Sequence, residues 1–176
     1  AKVVFDEDTV WSEPVFETTD QAPLLAFDPE ALYWKKHLAI YEAALKNKEG
    51  RYLVGFPDLI ENIDTLSQLR GAQAIMWDLI ENPDWVDAKM REVNQAFFGY
   101  AGVIWDMIQD EWGGSNFACF DVWGPGKTFK VQCDFCCMIS PKMFKRHIMP
   151  VLDEQCRWMD NVMFHLDGSE ALPQLD

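Results

Sequence analysis

Apolar positions along the chain fall into helix-length and strand-length segments. Residues 1–27 show no helical period and are expected to form an extended lead-in. The first helix is predicted to begin at Asp28, an N-cap residue type, with Pro29 at the first helical position. Its apolar residues recur at helical spacing at Trp34, Leu38, Tyr41 and Leu45.

Three short apolar runs after this helix predict buried strands, at residues 51–56, 116–122 and 161–166. Helical periodicity predicts helices over 72–81, over about 83–112, and from an N-cap at Ser140 and Pro141 to about 159. A last helix is predicted to open at Gly168. Strands therefore alternate with helices along most of the chain.

Strands joined by helix-length connections predict an α/β fold with a parallel sheet covered by helices. A complete (β/α)8 barrel needs roughly 250 residues, and this chain supplies about half of its strands. We therefore expect an incomplete (β/α)8 TIM barrel, roughly its N-terminal half. Residues 1–49 would form an N-terminal extension and first helix, and residues 50–176 the partial barrel. The remainder of a longer polypeptide, a partner or a homo-oligomer would complete it.

Charge and composition exclude several classes of protein. The chain has 15 Lys and Arg against 29 Asp and Glu, a net charge of −14. Phosphate backbones and anionic lipid surfaces repel such a chain, so we expect no nucleic-acid partner and no membrane partner. No apolar run approaches the roughly 20 residues of a membrane span, and the first ten residues lack the features of a secretory signal. A cytoplasmic location is expected.

The five cysteines suit free thiols better than a disulfide framework, because their number is odd and two are adjacent. Cys133 and Cys136, followed by Cys137, have the spacing of half a zinc site. No second pair exists to complete four ligands. Buried small apolar residues are the simpler interpretation of these thiols.

In parallel α/β folds, reactive residues lie at the carboxyl ends of strands and in the loops that follow. This rule selects residues after each of the three predicted strands. They are Asp58 and Arg70 after the first, Asp121, Trp123 and Lys127 after the second, and His165 and Asp167 at the third.

The sharpest of these candidates is the pair His165 and Asp167. Residues two apart on a strand point to the same face, so the two could bind one metal ion or act as an acid/base pair. Alternatively, His165 is hydrogen-bonded to a carboxylate that caps the next helix. Asp121 follows an apolar run, where a carboxylate is costly to bury unless paired. It is either a site residue or a solvent-facing turn residue.

Several segments of the chain resemble the uroporphyrinogen decarboxylase superfamily. They are LVGFPDLIENIDTLSQLRG, DLIENPDWV, ISPKMFKRHIMPVL and NVMFHLDGSEALPQLD, which together span roughly residues 50–176. The ISPKMF…MP element is the most specific of them. The resemblance implies a (β/α)8 barrel and one of two chemistries. These are tetrapyrrole side-chain decarboxylation in porphyrin biosynthesis, and methyl transfer linked to cobalamin or another corrinoid.

The resemblance also implies roles for particular residues. Methyltransferases of the family hold zinc, which activates a thiol, through a His-x-Cys strand motif and a later Cys. Here His165 falls on the His, and Asp167 replaces the Cys. The decarboxylases use no cofactor and hold their substrate through Arg and Asp groups in the barrel mouth.

We therefore expect a methyltransferase-like enzyme, whose candidate cofactors are zinc at His165 and Asp167 and a corrinoid carried by a partner protein. His165, Asp121 and Asp58 are the predicted catalytic residues. Arg70, Trp123 and Lys127 are the predicted substrate-binding residues, for a small-molecule or tetrapyrrole/corrinoid substrate. Uroporphyrinogen decarboxylation without a cofactor, or a non-catalytic half-barrel subunit, are the alternatives.

Overall fold

The computed structural model describes residues 3–8 and 10–175 and shows a mixed α/β fold. Its α-helices are α1 (Leu32–Asn47), α2 (Asn62–Arg70), α3 (Ala72–Glu81), α4 (Pro83–Ile108), α5 (Pro141–Met143) and α6 (Met149–Trp158). Its strands are β1 (Val3–Phe5), β2 (Val10–Ser12), β3 (Gly114–Phe117), β4 (Val122–Pro125), β5 (Thr128–Gln132) and β6 (Asn161–His165). Short 3-10 turns occupy Thr19–Gln21, Ala118–Phe120, Asp134–Met138 and Ser169–Leu175.

The strands pair in three two-stranded sheets, β1 with β2, β3 with β4, and β5 with β6. The first two are antiparallel, whereas β5 and β6 are parallel, with Thr128 opposite Asn161 and Gln132 opposite His165. A single parallel bridge joins Phe56 to Phe117. β5 and β6 thus pair in parallel across a helical connection, as expected of an α/β fold, although residues 128–132 were not among the three predicted strands.

The central helices agree well with the sequence-based expectation. The helix predicted over 72–81 is α3, and the long predicted helix is α4, which has 26 residues. α4 ends at Ile108, four residues early, because the Asp110 carboxylate accepts the N–H groups of Trp112 and Gly114 and so stabilises a turn. One apolar stripe of α4 lies in the core, where Val86, Met90, Val93, Phe97, Ile104 and Ile108 are buried and Tyr100 is half-buried.

Three sequence-based boundaries are wrong. The first helix begins at Leu32 rather than at Asp28, because the Asp28 carboxylate accepts the N–H of Glu30 in an isolated turn. Residues 51–55 form no strand, and Tyr52 instead lies exposed and donates its hydroxyl to the carbonyl of Ala44. The predicted strand at 116–122 is broken, because Asp121 adopts a left-handed conformation (φ 53°) in a turn between β3 and β4.

The helical segment after Ser140 was predicted correctly at its start. The Ser140 hydroxyl accepts the N–H of Met143, and Pro141 is the first helical residue. A π-helical turn, Phe144–Ile148, joins α5 to α6. It places His147 Nδ1 2.5 Å from Asp87 Oδ1 on α4, while Gln155 of α6 donates to Asn94 Oδ1 at 2.8 Å.

The core continues across residue 49, the expected boundary of the N-terminal extension. Trp34 and Tyr41 of α1 belong to the same buried cluster as α4 and β5. The Tyr41 hydroxyl also donates to the Gly55 carbonyl at 2.8 Å. Within the described residues, no helix combines the length and the apolar character that crossing a bilayer requires.

Candidate functional site

The two faces of the parallel pair β5–β6 differ in chemistry. Phe129 of β5 points into an aromatic cluster, with its ring centroid 4.7 Å from that of Phe56, 5.4 Å from that of Phe117 and 5.9 Å from that of Phe97. Because side chains alternate along a strand, the opposite face carries a polar row of Thr128, Lys130 and Gln132, which continues on β6 to His165. We call this the polar face.

A buried cation with two carboxylates occupies the polar face. Lys130 Nζ lies 2.9 Å from Asp58 Oδ1 and 3.2 Å from Glu61 Oε2. Lys130 is 1% exposed and Glu61 is 0% exposed, whereas half of the Asp58 side chain reaches solvent. We call Asp58, Glu61 and Lys130 the lysine cluster.

The side chains of Glu61 and Asn62, at the start of α2, bond to the backbone at the carboxyl end of β5. The Gln132 N–H donates to Glu61 Oε1 at 2.8 Å, and the Asn62 amide donates to the Gln132 carbonyl at 2.7 Å. Asn62 adopts a left-handed conformation (φ 51°), which a non-glycine residue holds only when its surroundings compensate. These bonds fix both the loop and the Glu61 carboxylate against the strand.

Burial raises the pKa of Glu61 to about 8, although the Lys130 ammonium and the Gln132 N–H oppose this change. Burial likewise raises the pKa of Asp64, against the effect of the Phe135 and Asp134 N–H groups, which donate to its two oxygens at 2.8 Å. A carboxyl group that exchanges its proton near neutral pH is suited to general acid/base chemistry.

His165 lies at the carboxyl end of β6, half-buried, with Nδ1 3.3 Å from Gln132 Oε1. Its ring centroid is 5.2 Å from that of Phe120. A metal-binding histidine commonly uses its other ring nitrogen for a contact of this type. Asp167, two residues further on, is exposed. Among residues 3–8 and 10–175, no three His, Cys, Asp or Glu side chains are grouped closely enough to hold a metal ion.

The other predicted catalytic residues differ in their surroundings. Asp58 belongs to the lysine cluster. Asp121 is exposed in its turn, directly after the Phe120 ring that contacts His165. The structure therefore brings Asp58 to the polar face through its contact with Lys130. Asp121 is linked to His165 through the neighbouring Phe120 ring.

The three predicted substrate-binding residues make contacts elsewhere. Arg70 lies at the far end of α2, where Nε donates to Asp78 Oδ2 at 3.0 Å. Lys127 precedes β5, at the end opposite to His165, with Nζ 5.6 Å from the ring centroid of Trp105 and 5.3 Å from that of Trp158. Trp123 Nε1 donates to Asp110 Oδ2 at 2.7 Å. None of these contacts involves the polar face.

Sequence reasoning missed Lys130 and Gln132 as site residues, and it left Glu61 without a role. The segment FKVQCDFCCMI favours neither helix nor strand clearly, so no strand was predicted there and Lys130 received no role. Strict alternation of Thr128, Lys130 and Gln132 with Phe129 and Val131 was the available signal, because it marks a strand with one polar face.

Comparison with known proteins yields no relatives of this chain. No family model, no curated protein and no solved structure matches it at a significant level. The chemistry of the site is therefore inferred from its own residues.

Proposed function

We propose that this chain forms one side of the active site of an enzyme in the uroporphyrinogen decarboxylase superfamily, closer to its methyltransferase-like members. The observation that supports the proposal is the polar face, which carries a buried charged cluster and ends in a histidine at the carboxyl ends of parallel strands. Active sites of (β/α)8 enzymes lie at that end of the strands. The parallel β5–β6 pair and the parallel Phe56–Phe117 bridge are compatible with part of such a barrel.

The donor set at the end of β6 fits part of a zinc site. His165 and Asp167 would supply two ligands, and Gln132 would hold the imidazole through Nδ1. Further ligands would come from outside the described residues. Zinc, when bound, would lower the pKa of a thiol and hold it as a thiolate for methylation.

The lysine cluster would place charged groups next to the proposed zinc site. Lys130 is fixed by two carboxylates and by the Leu59 carbonyl, so it positions Asp58 and Glu61 rather than reaching freely for substrate. Glu61, with its raised pKa, could store or release one proton. Asp58 is the cluster member that meets solvent, and with Asp121 it would line the mouth.

Decarboxylation of a tetrapyrrole has less support from these contacts. That reaction needs cations free to bind several substrate carboxylates. Arg70 is paired with Asp78, Lys127 lies over two indole rings, and Lys130 is neutralised by its two carboxylates.

Zinc content and methyl transfer test the proposal on the purified full-length protein. We expect zinc in the wild type and its loss in His165→Ala, and we expect demethylation of methylcobalamin by a small alkyl thiol in the wild type but not in His165→Ala. His37→Ala is the matched control, because His37 lies on α1 away from the polar face, and it should keep both zinc and activity.

Three other outcomes would each reject the methyltransferase proposal. Zinc retained in His165→Ala would place the metal elsewhere. Absence of zinc together with turnover of uroporphyrinogen would identify a decarboxylase. Absence of both activities, with stable association to another polypeptide, would identify a non-catalytic subunit.

A further inference from the structure

A second chemically distinctive group lies in the 3-10 turn that follows β5. Cys133 directly precedes the turn, and Cys136 lies within it. Both residues are buried, with 3% and 1% exposure, and each thiol changes the pKa of the other. Cys137 is exposed, and its thiol donates instead to the Asp134 carbonyl at 3.0 Å.

We propose that Cys133 and Cys136 form a redox-active dithiol that closes reversibly to a disulfide when a small peroxide reaches it. The proposal does not depend on the methyltransferase function. It rests on the tight turn that holds both buried cysteines at its two ends.

The backbone already holds the two residues at a separation that a disulfide can bridge. The Cys136 N–H donates to the Cys133 carbonyl at 3.3 Å, which closes a single tight turn. The Cα atoms at the two ends of such a turn are less than about 7 Å apart, and disulfides span about 4.4–6.8 Å between Cα atoms. Bond formation therefore requires little backbone movement.

The two thiols are also unequal, which suits a stepwise oxidation. The interaction between the two thiols lowers the pKa of Cys136 and raises the pKa of Cys133. Cys136 is therefore the nucleophile and Cys133 the resolving thiol.

A cavity lies beside the turn, next to the cysteines in sequence. It has a volume of about 200 Å³, and its lining includes Gln132, Asp134, Phe135 and Met138. Liquid water occupies about 30 Å³ per molecule, so a peroxide of similar size fits this space. Bulkier oxidants, such as peptide disulfides, need more room around the buried sulfur atoms.

The chemical steps balance with hydrogen peroxide as the oxidant. The Cys136 thiolate attacks one peroxide oxygen, the O–O bond breaks, and hydroxide leaves, which gives a sulfenic acid. The Cys133 sulfur then attacks the Cys136 sulfur, the S–O bond breaks, and water leaves with the thiol proton. The two cysteines lose two electrons in total, the peroxide gains them, and a thiol reductant reverses the change.

Proteolysis on the amino side of Asp134 provides a direct assay, because it separates Cys133 from Cys136 and Cys137. After treatment of the full-length protein with hydrogen peroxide and alkylation of free thiols, mass spectrometry should find the two fragments joined. Reduction should release them. The joined form should persist in Cys137→Ser and in the control Cys156→Ser, and it should disappear in Cys136→Ser.

Other products would overturn the proposal. A joined form that persists in Cys136→Ser would assign the bond to Cys137. Sulfinic acid at Cys136 without joined fragments would show that Cys133 does not resolve the intermediate. The wild-type and Cys137→Ser results decide the question even if a buried-cysteine variant fails to fold, because Cys137 is exposed.

Discussion

At the scale of single residues, the buried charge of Lys130 makes a direct prediction about stability. Its ammonium group is removed from water and is compensated by Asp58, Glu61 and the Leu59 carbonyl. Breaking a buried ion pair by removing one partner leaves an uncompensated charge, whereas removing both charges is often nearly neutral. The interaction between Lys130 and Glu61 can therefore be tested by single and double substitution.

Above about pH 8, where Glu61 is ionised, we expect Lys130→Met to lower the free energy of unfolding by about 3 kcal/mol, because the buried Glu61 carboxylate loses its cation. The double variant Lys130→Met/Glu61→Gln should recover most of this loss, since the glutamine oxygen can still accept the Gln132 N–H. Urea unfolding measures both values. The control Lys35→Met removes an exposed pair with Glu30 and should cost no more than about 0.5 kcal/mol. A double variant no more stable than Lys130→Met would contradict the pairing.

The raised pKa of Glu61 predicts a specific dependence of stability on pH. Its folded value, about 8, lies above the ordinary value of 4.5, so between these two pH values the folded state keeps a proton that the unfolded chain has released. The contribution of Glu61 to the free energy of unfolding is therefore fully present below about pH 4.5 and is lost as the pH rises towards 8. Glu61→Gln lacks this loss.

We expect the free energy of unfolding of the wild type, relative to Glu61→Gln, to fall steadily when urea unfolding is repeated from about pH 5 to about pH 8. The exposed Glu42→Gln should show no such trend. A difference that stays constant, or that rises with pH, would mean that Glu61 is ionised throughout this range.

At the scale of elements, the helices and strands that could be predicted from the sequence are those with clear local signals. α3 was predictable from its helical periodicity, and the start of α5 from the Ser140 cap and Pro141 at the first helical position. The start of α1 and the strand at 116–122 were not, because Asp28 and Asp121 form local turns that compete with the longer element. The lysine cluster joins residues about 70 positions apart, and no local pattern contains that pairing.

Ser140 provides the test at this scale. Its hydroxyl accepts the Met143 N–H at 3.3 Å at the start of α5. Replacing it with Ala should destabilise the protein by about 1 kcal/mol, because an N–H group at the helix start loses its acceptor. Ser140→Asp keeps an acceptor and should cost much less. Thermal unfolding of the two variants makes the comparison, and equal losses would show that the cap contributes nothing.

At the scale of the whole molecule, the second edge of β6 is the feature that remains open. Within the described residues, β6 pairs only with β5, and Val162 and Phe164 are 40% and 39% exposed on the face opposite to His165. Exposed strand edges with apolar side chains favour association with further strands.

We expect the 176-residue chain to self-associate through this edge, and Phe164→Lys to weaken the association at least several-fold. Leu32→Lys is the control, because Leu32 is more exposed, at 63%, but begins α1 rather than lying on a strand edge. Sedimentation equilibrium over a range of concentrations measures the effect. Equal weakening by both substitutions would indicate non-specific association.

The π-helical turn at Phe144–Ile148 has a consequence for changes in chain length. A π turn contains one residue more than an α turn over a similar rise, so a one-residue deletion here can be absorbed by tightening to α geometry. The flanking pieces would keep their faces, with the cap at Ser140 and the Gln155–Asn94 bond intact. The same deletion inside α6 would rotate everything beyond it by about 100° and turn Gln155 away from α4. Homologous chains that are one residue shorter between Ser140 and Gln155 should therefore have lost that residue within the turn.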